Sequence, residues 1–512
     1  MRAPGLARHL VVAAGCLSAP ALGACESSET YLVVSVTARP AVHDATHLRV
    51  TLGNEGTMRT DVLALGGAAF PVTFSVSAPG RTGALQVSVE AVDATEQRVG
   101  AGSTTAALDA ATATLRLDST DFVVNTDVAE DQAPSDDFEA HGAQVSATAD
   151  GTWTVVYTDR CTAPCNMLAR RFDPTGRAVT TRTAASTNAF PVTTNLTTFA
   201  TTPAVASVGT ATVALWDHDD PAGTAVGLAC RGLDAAGQAT PAEALLAMDP
   251  GTDVVSVAPM ANSNFAVAWS AFLTTRVVRT AIVRPGCTLL PNSVPVTVST
   301  TANATRPAVA ASGQPSTVMY AWITAGAVRA RFASATSVLT GITDAAFLPA
   351  TPSEQVEIVR LAPLPTGFAV VVRWTQTAVS EGPGRLEMYR TSLSGAVMGA
   401  PIPVSTRSGA DFGSSEGFGV AASPDGTLMV VWHACLANGD GSGCGVFGRA
   451  FGPDGAPLGD EFVVATTIAG DQTGPSVAAL PEGAFVAVWK DESAAAPDTS
   501  GSAVRARILY AR

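Results

Sequence analysis

Lysine is almost missing from this chain: of 30 basic residues among 512, only Lys490 is lysine and the rest are arginine. A phosphate-binding loop of the G-K-[ST] type needs a lysine after glycine, and Lys490 follows Trp489, so that chemistry is excluded. Lys490 is also the only residue that could form a Schiff base. Charged residues are scarce at 14%, and the formal net charge is −14. No run of cations is present, which excludes nucleic acid and anionic lipid surfaces as electrostatic partners. An acidic surface suits solubility, cations or basic partners. Neither H-E-x-x-H nor G-x-S-x-G occurs, so the common zinc-protease and serine-hydrolase signatures are absent. Beyond the N-terminus no stretch is apolar enough, for long enough, to read as a membrane-spanning helix.

The N-terminus itself, "MRAPGLARHLVVAAGCLSAPALGACESSET", places Arg2 and Arg8 before an apolar stretch over 10–24. That layout is a secretory signal, too short to span a bilayer. Leu22-Gly23-Ala24-Cys25 resembles the lipobox of bacterial lipoproteins. The resemblance implies cleavage after residue 24, diacylation of Cys25, and a short tether over 25–30. Ala13-Ala14-Gly15-Cys16 is a second candidate, and ordinary cleavage near Ala24 the plain alternative. The implied address is an exported protein, lipid-anchored to the outer membrane or cell surface, with the N-terminal lipid as its membrane contact.

Export makes the other cysteines readable. Cys161, Cys165, Cys230, Cys287, Cys435 and Cys444 are even in number, which in an oxidising compartment favours disulfides. "CTAPC" and "CLANGDGSGC" are short, turn-rich loops, so Cys161–Cys165 and Cys435–Cys444 are expected as local pairs. Cys230 and Cys287 then pair by elimination. Only His433 lies close to any cysteine, so no zinc site is expected.

A pattern recurs through most of the chain. Apolar runs end at Tyr157, Trp216, Trp269, Trp322, Trp374, Trp432 and Trp489, spaced by between 52 and 59 residues. Before each comes a small-residue strand ("PAVASV", "PAVAAS", "FGVAAS", "PSVAAL") and a hairpin turn such as "ADGT", "SPDG" or "LPEG". A third strand follows ("VRARF", "VRARI"), then a fourth after a Gly turn. Four strands in roughly 55 residues is too small for an immunoglobulin-type sandwich and fits the blade of a β-propeller. The sequence therefore predicts an all-β, seven-bladed propeller over 121–512. The aromatic at each strand end is expected to fill the seam between blades.

The seventh copy ends after its third strand, at "VRARILYAR". "FVVNTDVAEDQ" (122–132) stands before the first copy and matches "FVVATTIAGDQ" (462–472) in spacing. Residues 122–126 are thus expected to supply the outer strand of the last blade and close the ring, as in WD40 propellers, leaving no unpaired sheet edge there. Upstream, residues 31–118 alternate apolar and polar over about seven short strands, which suits a β-sandwich of immunoglobulin or fibronectin shape, without Cys or Trp.

This strand order puts loops after the aromatic strand and loops entering the small-residue strand on one face. That face collects Asp159, Asp217, His218, Asp219, Asp220, His433, Asp440, Asp491 and Glu492, with Asp131, Asp136, Asp137, Glu139, Asp411 and Asp471. It is the candidate binding face, weighed against the reading that solvated loops are simply polar. "DHDD" and "NGDGSG" lack the full calcium-loop spacing, so no metal or other cofactor is expected, with Ca²⁺ the only one considered. The sialidase Asp-box S-x-D-x-G-x-T-W is absent.

The whole chain resembles exported bacterial lipoproteins that join a small sandwich to a propeller of "DGxFVVVW" repeats. The resemblance implies a monomeric, non-catalytic scaffold for a protein or glycan. The alternatives are a polysaccharide hydrolase or lyase working in the propeller funnel, and a structural envelope component.

Overall fold

The computed structural model describes residues 9–12, 31–77, 81–126, 132, 142–159, 166–180, 187–194, 199–219, 225–240, 242–290, 293–313, 317–334, 345–351, 353–376, 384–406, 417–435 and 439–511. Two compact units divide after Phe122. Among the described residues there is no α-helix, and a single 3₁₀ turn spans Pro481–Gly483.

In the first unit the strands alternate as their sequences do. Leu32, Val34 and Val36 of Tyr31–Ala38, Leu48 and Val50 of His47–Asn54, and Leu85, Val87 and Val89 of Ala84–Val92 are buried in one cluster. The period of two places every second side chain on the same face. Hydrogen bonding links eight strands into one ladder: His9–Val12, Val72–Ser77, Tyr31–Ala38, Thr112–Ser119, Arg98–Ala107, Ala84–Val92, His47–Asn54, Thr57–Ala64. Two pairings depart from the antiparallel expectation: His9–Val12 runs parallel to Val72–Ser77, and a second involves Thr112–Ser119. Thr112–Ser119 runs parallel to Tyr31–Ala38 as far as Leu117, then pairs antiparallel with Gly100 and Ala101 through Ser119 and Asp118. Buried residues from both halves of the ladder share the cluster.

The second unit is a seven-bladed propeller. Its seven sheets each hold four strands, which follow sequence order in the first six. Within this unit the Val124 N–H donates to the Val504 carbonyl at 2.7 Å. The buried Asn125 accepts from the Val504 N–H and donates to Asp498 and to Gln132.

The seam aromatics explain the strength of the repeat. Six of the seven are 0% exposed and Trp374 is 5% exposed. Each tryptophan packs on the blade before it. Trp216 meets Val156, Met167 and Phe190 of the first blade, and Trp432 meets Ile358, Val371 and Met388 of the fifth. Trp489 meets Met429, Val431 and Val446 of the sixth. A buried indole removes roughly 150–250 Å² from water, which makes each seam an apolar core of its own.

The inner strands carry bulges at one recurring place, between Thr201 and Ala204, Asp253 and Val255, Thr305 and Ala308, Val356 and Ile358, and Thr473 and Ser476. Thr202, Val254 and Arg306 sit there at φ of 46°, 35° and 50°. Such bulges bend and twist a strand locally, here where seven strands crowd one axis.

Two of the expected disulfides are present. Cys435–Cys444 closes one loop, and Cys230–Cys287 joins the third strand of the second blade to a turn of the third blade. Cys161, Cys165, Cys16 and Cys25 lie outside the described residues.

Candidate functional site

Strand register places the sequence-derived binding face at the end where inner strands begin and second strands finish, as in Gln472 opposite Asp491 and Phe199 opposite Asp219. The described residues at that end are spread over the first, second, sixth and seventh blades, and several are buried.

Asp491 is 1% exposed and accepts from Arg505 Nε at 2.6 Å, Gln472 Nε2 at 3.2 Å and Ser493 Oγ at 2.5 Å. Asp159 is 7% exposed and accepts from Gln132 Nε2 at 3.4 Å. Gln132 and Gln472, both fully buried, close equivalent loops onto equivalent strands. The "EDQ" and "GDQ" ends of the matched segments held that signal, which the sequence reading used only for spacing. Glu492 pairs with Lys490 at 2.8 Å, and Asp440 Oδ1 accepts from the Ser442 N–H. Asp131, Asp136, Asp137, Glu139, Asp220 and Asp411 lie outside the described residues, while Asp471 Oδ1 accepts from the Cys444 N–H at 2.8 Å.

Two members of the face are perturbed. Burial pushes the Asp217 carboxyl up to about 9, with repulsion from Asp219 and Asp253 adding to it. Its Oδ1 makes no hydrogen bond, nor does Nδ1 of the half-buried neighbour His218. Asp253 is held by Arg276 at 2.6 Å. Among the described residues no group of His, Cys, Asp or Glu is arranged to hold a metal ion.

His433 lies in the next-to-last seam, where burial, followed by the Arg373 charge, lowers its imidazole to about 4. Its folded value lies below the ordinary 6.5, so its contribution to stability is present above 6.5 and is lost as pH falls toward 4. His433→Gln should therefore flatten the fall in melting temperature between pH 7 and pH 4.5, by up to about 3 kcal/mol of stability. Parallel thermal melts of the two proteins check this, and identical pH profiles would refute it.

A cavity lies at the other end. It has a volume of about 520 Å³ and is lined by the turns joining inner and second strands of the first, fourth, fifth, sixth and seventh blades. Ala147, Ala311, Ala422 and Ala479 occupy one equivalent position, with Pro363, Leu364, Leu480 and the turn prolines Pro365, Pro424 and Pro481 around them. Its three hydroxyls are engaged. Thr148 donates within its turn to Asp150 and the Thr152 carbonyl, Ser423 to Asp425 and the Thr427 carbonyl, and Ser312 to the Leu364 carbonyl. None of the lining residues is titratable. Sequence reading took "ADGT", "SPDG" and "LPEG" as hairpin chemistry alone and so missed this mouth.

The sequence matches no protein-family model and no curated protein. Solved structures match at low identity. A Dyadobacter fermentans protein of unknown function is 11% identical, over 77% of this chain and 99% of its own, at a TM-score of 0.40. A leech intramolecular trans-sialidase is 9% identical over 94% of both chains, also at 0.40. The Aleuria aurantia lectin is 11% identical, over 64% of this chain and 98% of its own, at 0.38. At these values none bears on ligand or activity.

Proposed function

We propose that this chain is an exported envelope lipoprotein, tethered through Cys25, whose propeller binds a protein or glycan without transforming it. The supporting observation is the turn-side cavity: it is concave and apolar, and none of its lining residues is titratable. The N-terminal unit serves as an immunoglobulin-like spacer in this reading. Residues 122–126 act as the clasp of the last blade, which removes an open sheet edge.

The test compares the full-length protein, in detergent, with an Ala422→Leu/Ala479→Leu variant that fills the cavity, on glycan and envelope-protein arrays. Binding should be lost in the variant at an unchanged melting temperature, and the ligand should be recovered intact. Equal binding by the filled variant, or a cleaved ligand, overturns the reading. Mass spectrometry of the N-terminal peptide should find acyl chains on Cys25. A hydrolase or lyase is the second reading, favoured by Asp217, since a carboxyl that keeps its proton at neutral pH is what a general acid requires. Cleavage of an array glycan by the wild type and not by Asp217→Asn would support it.

A further inference from the structure

The turn-side cavity, already the centre of the proposed binding role, has a rim of different character from its walls. Asp150, Asp425 and Glu482 stand at corresponding turns of the first, sixth and seventh blades, next to the lining residues Ala149, Pro424 and Pro481, and all three are exposed. The turns are locked side by side. A side chain on Gly151 would meet Pro481 at 2.9 Å, and one on Gly426 would meet Pro365 at the same distance. Both glycines also have positive φ, 84° and 88°. The carboxylates are thus carried on a rigid ring of turns around an apolar hole.

We infer that this mouth is a docking site for a basic segment of a protein partner, which inserts apolar side chains into the cavity and sets flanking Lys or Arg against Asp150, Asp425 and Glu482. It rests on the non-catalytic binding reading and names the ligand for the same site.

Three features of the mouth favour a basic peptide over a glycan. A sugar site needs an aromatic face to stack on and free hydroxyl or amide groups to read its hydroxyls. The lining contains no aromatic residue, and its three hydroxyls already donate, Thr148 and Ser423 within their own turns and Ser312 to the Leu364 carbonyl of the next blade. The volume of about 520 Å³ leaves room for several apolar side chains. The rim carboxylates are ready for cations. Asp150 and Asp425 each use Oδ1 to hold the turn, accepting from the Thr152 and Thr427 N–H groups. Hydrogen bonds from Thr148 and Ser423 keep both carboxyls below the ordinary carboxylate value, so they stay charged into mildly acidic conditions. Arg171 is the basic side chain whose charge reaches Asp150. The net charge of −14 adds long-range attraction for a basic partner. A preformed rim and cavity reduce the ordering that binding would otherwise require.

The test is calorimetry on the full-length protein in detergent. The probe is an octapeptide with a central Phe-Leu pair, two lysines on each side and glycine ends. It should bind saturably. Replacing its lysines by glutamates, or its centre by two serines, should each weaken binding about tenfold or more, as should raising salt from about 50 to about 500 mM. Asp150→Asn/Asp425→Asn/Glu482→Gln should weaken it comparably; the amides can still accept the turn hydrogen bonds, so the melting temperature should hold. If that variant does not fold, Glu482→Lys alone should reduce affinity for the lysine peptide and raise it for the glutamate peptide. Binding that ignores the rim substitutions, or a serine-centred peptide that binds as well as the Phe-Leu peptide, overturns the inference. So does a failure of the lysine peptide to bind. If an array ligand is then still blocked by Ala422→Leu/Ala479→Leu, the binding scaffold stands and only the identity of its ligand is wrong.

Discussion

Asp217→Asn should make this protein more stable at neutral pH. The folded carboxyl holds its proton up to about 9, whereas the unfolded chain releases it near 3.8. Between those values the folded state binds more protons, so stability falls as pH rises from 3.8 toward 9. At pH 7 the difference is about three pH units, an upper bound of about 4 kcal/mol, and a gain of about 2–4 kcal/mol is expected from the amide. The amide keeps the shape and can still accept the His218 N–H that the carboxylate accepts. Urea denaturation at pH 5 and pH 8 is the measurement: the variant's advantage should grow with pH. A variant less stable than wild type at pH 8 would refute the account.

Asp491→Ala should have the opposite effect. The Arg505 side chain is 5% exposed and its Nε points at Asp491 Oδ2, so removing the carboxylate takes a close counter-charge away from a buried guanidinium. Breaking such a pair by one partner is expected to cost about 3–5 kcal/mol. Gln472 keeps the Ala469 and Gly470 carbonyls as acceptors, so the loop it closes should survive. The double variant Asp491→Ala/Arg505→Met should recover most of the loss, since an apolar side chain of similar length is at home there. Equilibrium unfolding of the three proteins checks this. A single-variant loss under about 1 kcal/mol would show the pair to be solvated and would return Asp491 to the set of ligand-facing residues.

Burial divides the candidate binding face. Asp217, Asp491, Asp159 and His433 were grouped with Asp440 and Glu492 because all follow an aromatic strand. Strand position says which end of a blade a residue occupies. It does not say whether the side chain points outward or into the seam with the next blade. Asp217 and His433 directly follow their tryptophans, so by strand alternation they turn to the opposite side of the sheet from the indole. Polarity alone reads them as exposed, and the structure buries them.

Chain pattern alone was enough for the number of repeating units, the order of small-residue, aromatic and basic strands, and the seam position of the tryptophans. All of these follow from local periodicity and from one large apolar side chain per unit that must leave water. Tertiary structure alone decided which charged groups are buried and where the cavity lies. Its walls come from turns of five blades, from Ala147 to Pro481, which lie far apart in the chain and meet only at the propeller axis. Burial and concavity arise from what packs opposite a residue, and no spacing along one strand records that.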